Sequence, residues 1–218
     1  MKKLLSITML LIVLCLGAIS QSIDNDDFVV THGPYLQNLS PSGVTIIWST
    51  NKPAVPGVNL VTPDGNKSFI RNSHDGIIDG GGLIHKVRID GLEPGNTYRY
   101  AINSVQILKY QAYRIYYGDT LARKAESFTT PSLKSEKVSF TVINDVHENS
   151  GKMANYLKNG NSVNHDLYFF NGDMVDWLQE TAQLFRGFID TAVTYFATSK
   201  PFYPVSYTHL TLPTKRIV

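Results

Sequence analysis

The stretch FTVINDVHENSGK, Phe140–Lys152, begins as an apolar run and then carries a carboxylate and an imidazole two residues apart, Asp145 and His147. The apolar run starts at Val138 and is nearly continuous, which is typical of a parallel strand that is covered on both faces. Two interpretations of its polar end are open. The residues either terminate a strand or bind a metal ion, and the rest of the chain distinguishes between them.

The elements that follow alternate between helix and strand. The run DLYFFN, Asp166–Asn171, predicts a second strand. The sequence also predicts a short helix at 149–159, a long helix with one apolar face at 177–199, and a third strand at 201–205. This βαβαβ order implies a parallel sheet with right-handed crossovers.

The first two predicted strands both lead into acidic residues. The second is followed by Gly172 and Asp173. Because ligands bind beyond the carboxyl ends of parallel strands, Asp145, His147 and Asp173 converge if the two strands are neighbours. Two carboxylates and an imidazole in one cleft are costly unless a cation neutralises them. Oxygen and nitrogen ligands without thiolate suit Mn, Zn or Fe.

The part of the chain at 28–130 has a different pattern, with short strands separated by turn residues, which predicts an all-β sandwich. The strand GVTIIWST, Gly43–Thr50, supplies Trp48 as a core residue. The segment LEPGNTY, Leu92–Tyr98, has the spacing of a tyrosine corner, so the predicted fold is a fibronectin type III-like sandwich. The polar segment 131–137 is predicted to be a linker to the second part of the chain.

The first 20 residues predict a signal peptide, with a charged start, an apolar stretch and small residues before Gln21. We expect export to the periplasm, cell surface or medium after cleavage near Ser20. Lipid attachment at Cys15 is disfavoured because the bulky Leu14 precedes it. The mature chain then has no cysteine. The apolar stretch is too short for a stable membrane span, and the formal net charge of +2 gives no indication of nucleic-acid binding.

The two acidic motifs, Asp-x-His at 145–147 and Gly-Asp-x-x-Asp at 172–176, resemble those of the calcineurin-like metallophosphoesterase family. The segments GPYLQNLSPSGVTIIWST, Gly33–Thr50, and LEPGNTYRY, Leu92–Tyr100, resemble the N-terminal domain of purple acid phosphatases and their bacterial relatives. The resemblance implies a fibronectin type III-like domain followed by the first half of an α/β metallophosphoesterase sandwich at 138–205.

The resemblance also implies a site with two divalent or trivalent metal ions, Fe, Zn or Mn, that hydrolyses phosphate monoesters or diesters. Asp145 and His147 would bind the first ion, and Asp173 would bridge it to the second. The substrate would be a phosphorylated small molecule or another phosphoester. No catalytic residue is assigned.

Residues beside these ligands are expected to support them: Gly172 through a tight backbone turn, and Asp176 and Asn171 through contacts with the ligands. Asp176 stands where purple enzymes carry an iron-binding tyrosine, so no tyrosinate–iron colour is expected.

The resemblance implies a further motif, Gly-Asn-His-Glu or Asp, directly after the strand at 202–205. The chain continues instead with SYTHLTLPTKRIV, Ser206–Val218, which resembles translated adapter sequence. We expect this tail to be non-native, and the chain to be a truncated phosphoesterase that is inactive as written. The alternative hypothesis is a non-catalytic, cell-surface or secreted binding module built on the β-sandwich.

Overall fold

The computed structural model describes residues 27–159 and 164–205. The predicted signal peptide at 1–20 and the predicted non-native tail at 206–218 lie outside the described residues. The described strands are β1 (Val30–Ser40), β2 (Gly43–Thr50), β3 (Ala54–Val61), β4 (Lys67–Ile70), β5 (Ser73–His74), β6 (Ile77–Ile78), β7 (Ile84–Asp90), β8 (Thr97–Gln111), β9 (Arg114–Ala122), β10 (Glu126–Thr129), β11 (Phe140–Ile143), β12 (Leu167–Asn171) and β13 (Phe202–Val205).

Two helical regions accompany the last three strands. Helix α1 is Ser150–Asn159. The second region, α2, is one continuous run whose segments are Ala182–Leu184, Phe185–Ile189, Asp190–Ala192 and Val193–Ala197, the second and fourth being π-helical. None of the helices in the described ranges has the length and apolar character that crossing a membrane requires.

The first part of the chain forms antiparallel, sandwich-like sheets. One sheet has the strand order β1-β2-β7, and the other has the order β10-β8-β3-β4 with β9 added to β8. Trp48 is fully buried in the shared core, and its indole Nε1 donates to the hydroxyl of Ser104 at 2.9 Å. The amide of Glu93 donates to the hydroxyl of Tyr98 at 2.8 Å, which is the contact expected of a tyrosine corner.

The second part is a small parallel sheet with the order β11-β12-β13. Side chains of both helical regions pack on one face of this sheet, around Tyr168 and Phe170. The prediction that the first strand is covered on both faces is wrong for the described chain. Phe140 and Val142 are 57% and 49% exposed, because α1 and α2 contact the same side of the sheet.

The long helix begins later than the sequence predicts. Its first helical residue is Ala182 rather than Trp177. The side chain of Gln183 accepts hydrogen bonds from the amides of Gln179 and Glu180, which holds the preceding segment in a turn. The shorter helix begins at the predicted place, since the Asn149 side-chain oxygen accepts from the Lys152 amide at 2.9 Å.

The sandwich packs directly on α2. The ring of His32 stacks on Phe185, with 4.1 Å between ring centroids, and its Nδ1 lies 3.0 Å from both carboxylate oxygens of Asp190. The buried Tyr100 hydroxyl donates to the Thr198 carbonyl at 2.8 Å. The two parts of the chain are therefore joined by side-chain contacts as well as by the linker.

Candidate metal centre

The loops that follow β11 and β12 run side by side at the carboxyl end of the parallel sheet. Three backbone hydrogen bonds connect them: the amides of Asp145, His147 and Glu148 donate to the carbonyls of residues 172, 173 and 174, at 3.3, 2.9 and 2.9 Å. Parallel pairing of β11 with β12 brings the two loops to the same edge. The structure thus places Asp145, His147 and Asp173 in adjacent loops, as neighbouring parallel strands require.

Both loops are held in an uncommon backbone conformation. The φ angles of Asp145, His147, Glu148 and Asp173 are 54°, 53°, 57° and 49°. Positive φ is unfavourable for residues other than glycine, and such strain persists only where the surrounding structure enforces it. Gly172 has φ of 90°, a conformation that glycine adopts readily, and it allows the tight turn before Asp173.

The imidazole of His147 lies between two carboxylates. Its Nδ1 forms a hydrogen bond with Asp176 Oδ1, and its Nε2 lies 3.9 Å from Asp145 Oδ1. Because an ionised carboxylate only accepts hydrogen bonds, Asp176 holds the proton on Nδ1. In that tautomer Nε2, at 3.9 Å from Asp145 Oδ1, carries the lone pair that a metal ion would need. Histidine ligands in proteins are commonly oriented by a carboxylate in this way.

Other polar groups surround the two loops. The Lys152 ammonium donates to the carbonyl of Asp145, and Glu148 accepts a hydrogen bond from the Gln183 amide at 2.9 Å. Asn171 is the last residue of β12 and pairs in register with Val205 of β13. Glu148 directly follows the Asp-x-His motif, but nothing local in the sequence indicates Gln183, which reaches the site from a distant helix.

The donor types at this edge suit a metal ion, since carboxylate oxygens and an imidazole nitrogen are the ligands that Zn, Mn and Fe accept. Within residues 27–159 and 164–205, however, no three His, Cys, Asp or Glu side chains converge closely enough to hold one. His147 Nε2 and Asp145 Oδ1 lie 3.9 Å apart. Asp173 contacts the same loop through its backbone carbonyl, which accepts from the His147 amide. The side chains of Asp145 and His147 are 63% and 44% exposed, so solvent reaches the edge between them.

His85 belongs to the sandwich core instead. Its Nε2 lies 2.7 Å from the Thr50 hydroxyl, and burial lowers its pKa to about 4. A buried, neutral histidine that already has a hydrogen-bond partner inside the sandwich is a structural residue.

No protein-family model and no curated protein sequence matches the chain. Among solved structures, the purple acid phosphatase PPD1 from seeds of yellow lupin (Lupinus luteus) is similar, with a TM-score of 0.53 and 16% sequence identity. The match covers 79% of this chain and 34% of the lupin protein. A structure of PhoD matches with a TM-score of 0.46 and 13% identity, covering 78% of this chain and 37% of that one.

The similarity to the lupin phosphatase concerns the fold. Antiparallel, sandwich-like sheets followed by a small parallel sheet with helices resemble the N-terminal part of the lupin phosphatase. The chain spans about a third of the length of that protein, with 34% of it covered. The broad architecture predicted from the sequence is confirmed at this level.

Proposed function

We propose that the chain is the N-terminal part of an exported, metal-dependent phosphoesterase that hydrolyses phosphate monoesters or diesters. The observation that carries the proposal is the pairing of the two strand-end loops, with the His147 imidazole set between Asp145 and Asp176. The phosphatase-like fold of the chain supports it.

In this proposal Asp145 and His147 would hold one metal ion, and Asp173 would contribute to holding a second. Bound Fe, Zn or Mn would polarise the phosphoryl group and activate water for attack on phosphorus. The protein's own contribution is positional. Asp176 holds the proton on Nδ1 of His147, so that Nε2 presents a lone pair. Gly172 permits the tight turn before Asp173.

The proposed domain organisation follows the same reasoning. Residues 28–130 would form a fibronectin type III-like domain, residues 131–137 a linker, and residues 138–205 part of a metallophosphoesterase domain. The buried Trp48 and the hydrogen bond of the Tyr98 hydroxyl support the first assignment. The charged and apolar N-terminal residues support export.

One observation favours the alternative, a binding module that has no catalytic role. Strands β8 and β9 form a ribbon whose far end presents Tyr110, Tyr113 and Tyr117 to solvent. Exposed aromatic rings of this kind are common at binding surfaces. A module that works only through this ribbon has no need of a metal at the loops after β11 and β12, so metal binding separates the two functions.

The test is titration of the full chain with Zn²⁺ and Mn²⁺ by isothermal calorimetry, together with His147→Ala and Asp173→Asn. We expect binding by the unaltered chain and a large loss of affinity in both variants. The matched control is His74→Ala, because His74 is also an exposed histidine beside an aspartate, at 3.4 Å from Asp75, but lies in the small β5–β6 sheet of the first part of the chain. No binding by the unaltered chain, or equal binding by all variants, would refute the proposed site.

A further inference from the structure

Gln183 is a buried polar side chain that uses all of its hydrogen-bonding capacity. Its Oε1 accepts from the amides of Gln179 and Glu180, at 2.7 and 3.0 Å. Its Nε2 donates to Glu148 Oε1 at 2.9 Å and to the Trp177 carbonyl at 3.1 Å. An amide side chain has two acceptor lone pairs and two N–H donors, so every one of them is occupied.

These four contacts connect the two candidate ligand loops. Glu148 directly follows His147, and Trp177 directly follows Asp176. Gln183 therefore ties together the neighbours of the two residues that meet through the His147 Nδ1 hydrogen bond. A side chain in this place limits how far the two loops can move apart.

The surface of α2 next to Gln183 also allows a close contact with Glu148. Gly187 lies one helical turn farther on, and a Cβ at that position would stand 3.3 Å from Glu148 Cγ and 3.4 Å from Glu148 Cα. Glycine therefore allows α2 to approach the first loop closely. The side chain of Arg186 adds a hydrogen bond to Glu180 at 2.7 Å, but its exposure makes that pair weak.

The strained backbone of the first loop explains why such a contact is needed. His147 and Glu148 both have positive φ, at 53° and 57°. Conformations of this kind persist only where neighbouring groups enforce them. The hydrogen bond from Gln183 to the Glu148 carboxylate acts on one of these residues directly.

We propose that Gln183 is a positioning residue for the metal centre, holding His147 and Asp176 in register through Glu148 and the 177–180 turn. The inference rests on the proposed function, because it concerns ligands of that same site. Loss of Gln183 would free the first loop to relax from positive φ, and it would leave the Gln179 and Glu180 amides without their acceptor. The hydrogen bond between His147 Nδ1 and Asp176 would then no longer be held in place.

The experiment compares Zn²⁺ affinity by calorimetry, the visible absorption of bound Co²⁺, and the melting temperature of the metal-free protein. Gln183→Met removes every hydrogen bond while keeping a side chain of similar length. We expect about a 10- to 100-fold loss of affinity, which is typical when the support of a ligand is removed, and an altered Co²⁺ spectrum. The matched control is Gln179→Met, since Gln179 is exposed and contributes only its backbone amide.

A second pair of variants covers the case in which Gln183→Met does not fold. Gln183→Glu keeps the acceptor for the two amides but sets two carboxylates against each other. The double variant Gln183→Glu with Glu148→Gln restores the hydrogen bond with donor and acceptor exchanged. We expect the single variant to bind weakly and the double variant to recover part of the affinity, because a carboxylate at 183 restores the contact with residue 148 but cannot donate to the Trp177 carbonyl.

The outcomes separate this inference from the proposed function. If the unaltered chain binds metal and folded Gln183→Met binds equally well, the positioning role is refuted and the proposed function stands. Failure of the double variant to recover, at a stability equal to that of the single variant, refutes the positioning role in the same way. If the unaltered chain binds no metal, both proposals fall.

Discussion

Replacing Asp176 with alanine removes the carboxylate that meets Nδ1 of His147 while leaving Asp145, His147 and Asp173 in place. The imidazole then loses the acceptor that holds the proton on Nδ1, so its two tautomers become closer in energy. Nε2 then carries the proton in one tautomer and the lone pair in the other, and the ring is free to rotate. The variant therefore tests whether Asp176 prepares His147 to bind a metal ion.

The exposure of the His147–Asp176 pair determines how much the pair contributes to the free energy of unfolding. The side chains of His147 and Asp176 are 44% and 57% exposed, so their attraction is screened by water. An exposed pair of this kind contributes at most about 1 kcal/mol to the free energy of unfolding. Loss of the carboxylate that supports a histidine ligand typically weakens metal binding about 10- to 100-fold, or about 1.4 to 2.7 kcal/mol. The effect on metal affinity should exceed the effect on stability.

The assay is calorimetric titration with Zn²⁺, accompanied by urea denaturation of the metal-free protein. Asp119→Ala is the control, because it removes an exposed aspartate from β9 and changes the net charge equally. Asp176→Asn should lie between the unaltered chain and Asp176→Ala, since its amide oxygen still accepts a hydrogen bond. Equal Zn²⁺ affinity in Asp176→Ala and Asp119→Ala would show that Asp176 has no part in orienting His147.

Three further predictions concern stability and surface properties. Tyr98→Phe leaves the Glu93 amide without its acceptor and should lower the free energy of unfolding in urea by about 1–3 kcal/mol. The control Tyr113→Phe, at an exposed position, should not lower it. Equal effects of the two substitutions would rule out the tyrosine corner as the cause. Burial lowers the pKa of His85 to about 4, so the unfolded chain takes up the proton first as the pH falls. The free energy of unfolding should therefore decrease by up to roughly 3 kcal/mol between about pH 6.5 and about pH 4, and then level off. An unchanged pH profile in His85→Gln would contradict this. Phe140→Thr should reduce the fluorescence of an apolar dye bound to the open sheet face, and no reduction would place the dye elsewhere.

The sandwich was predictable because its signals are local. The turn that ends in Tyr98 and the strand that carries Trp48 can each be recognised from about ten residues of sequence, as is usual for strands and turns. The open face at Phe140 was not predictable in this way. An apolar run indicates that a strand can be covered on both sides, but the side on which each helix crosses depends on contacts made much later in the chain.

The candidate site was also predictable only in part. Neighbouring strands that end in acidic residues led directly to Asp145, His147 and Asp173, and the structure sets these residues in adjacent loops. Their roles as metal ligands stay a prediction. The late start of α2 and the contact between Gln183 and Glu148 could not be read from the sequence, because a buried glutamine in a helix has no pattern that names its partner.

The placement of α2 gives the sandwich a larger part in the site than that of a spacer. One end of this helix contacts the loop after β11 through Gln183 and Glu148. His32 from β1 stacks on Phe185 and lies 3.0 Å from Asp190. The same helix therefore contacts both the sandwich and the strained loop. Because strained loops keep their conformation only when their surroundings are rigid, the contacts that the sandwich makes with α2 are expected to support the loop that carries Asp145 and His147. The loops after β11 and β12 are consequently expected to hold their geometry only in a chain that contains both parts.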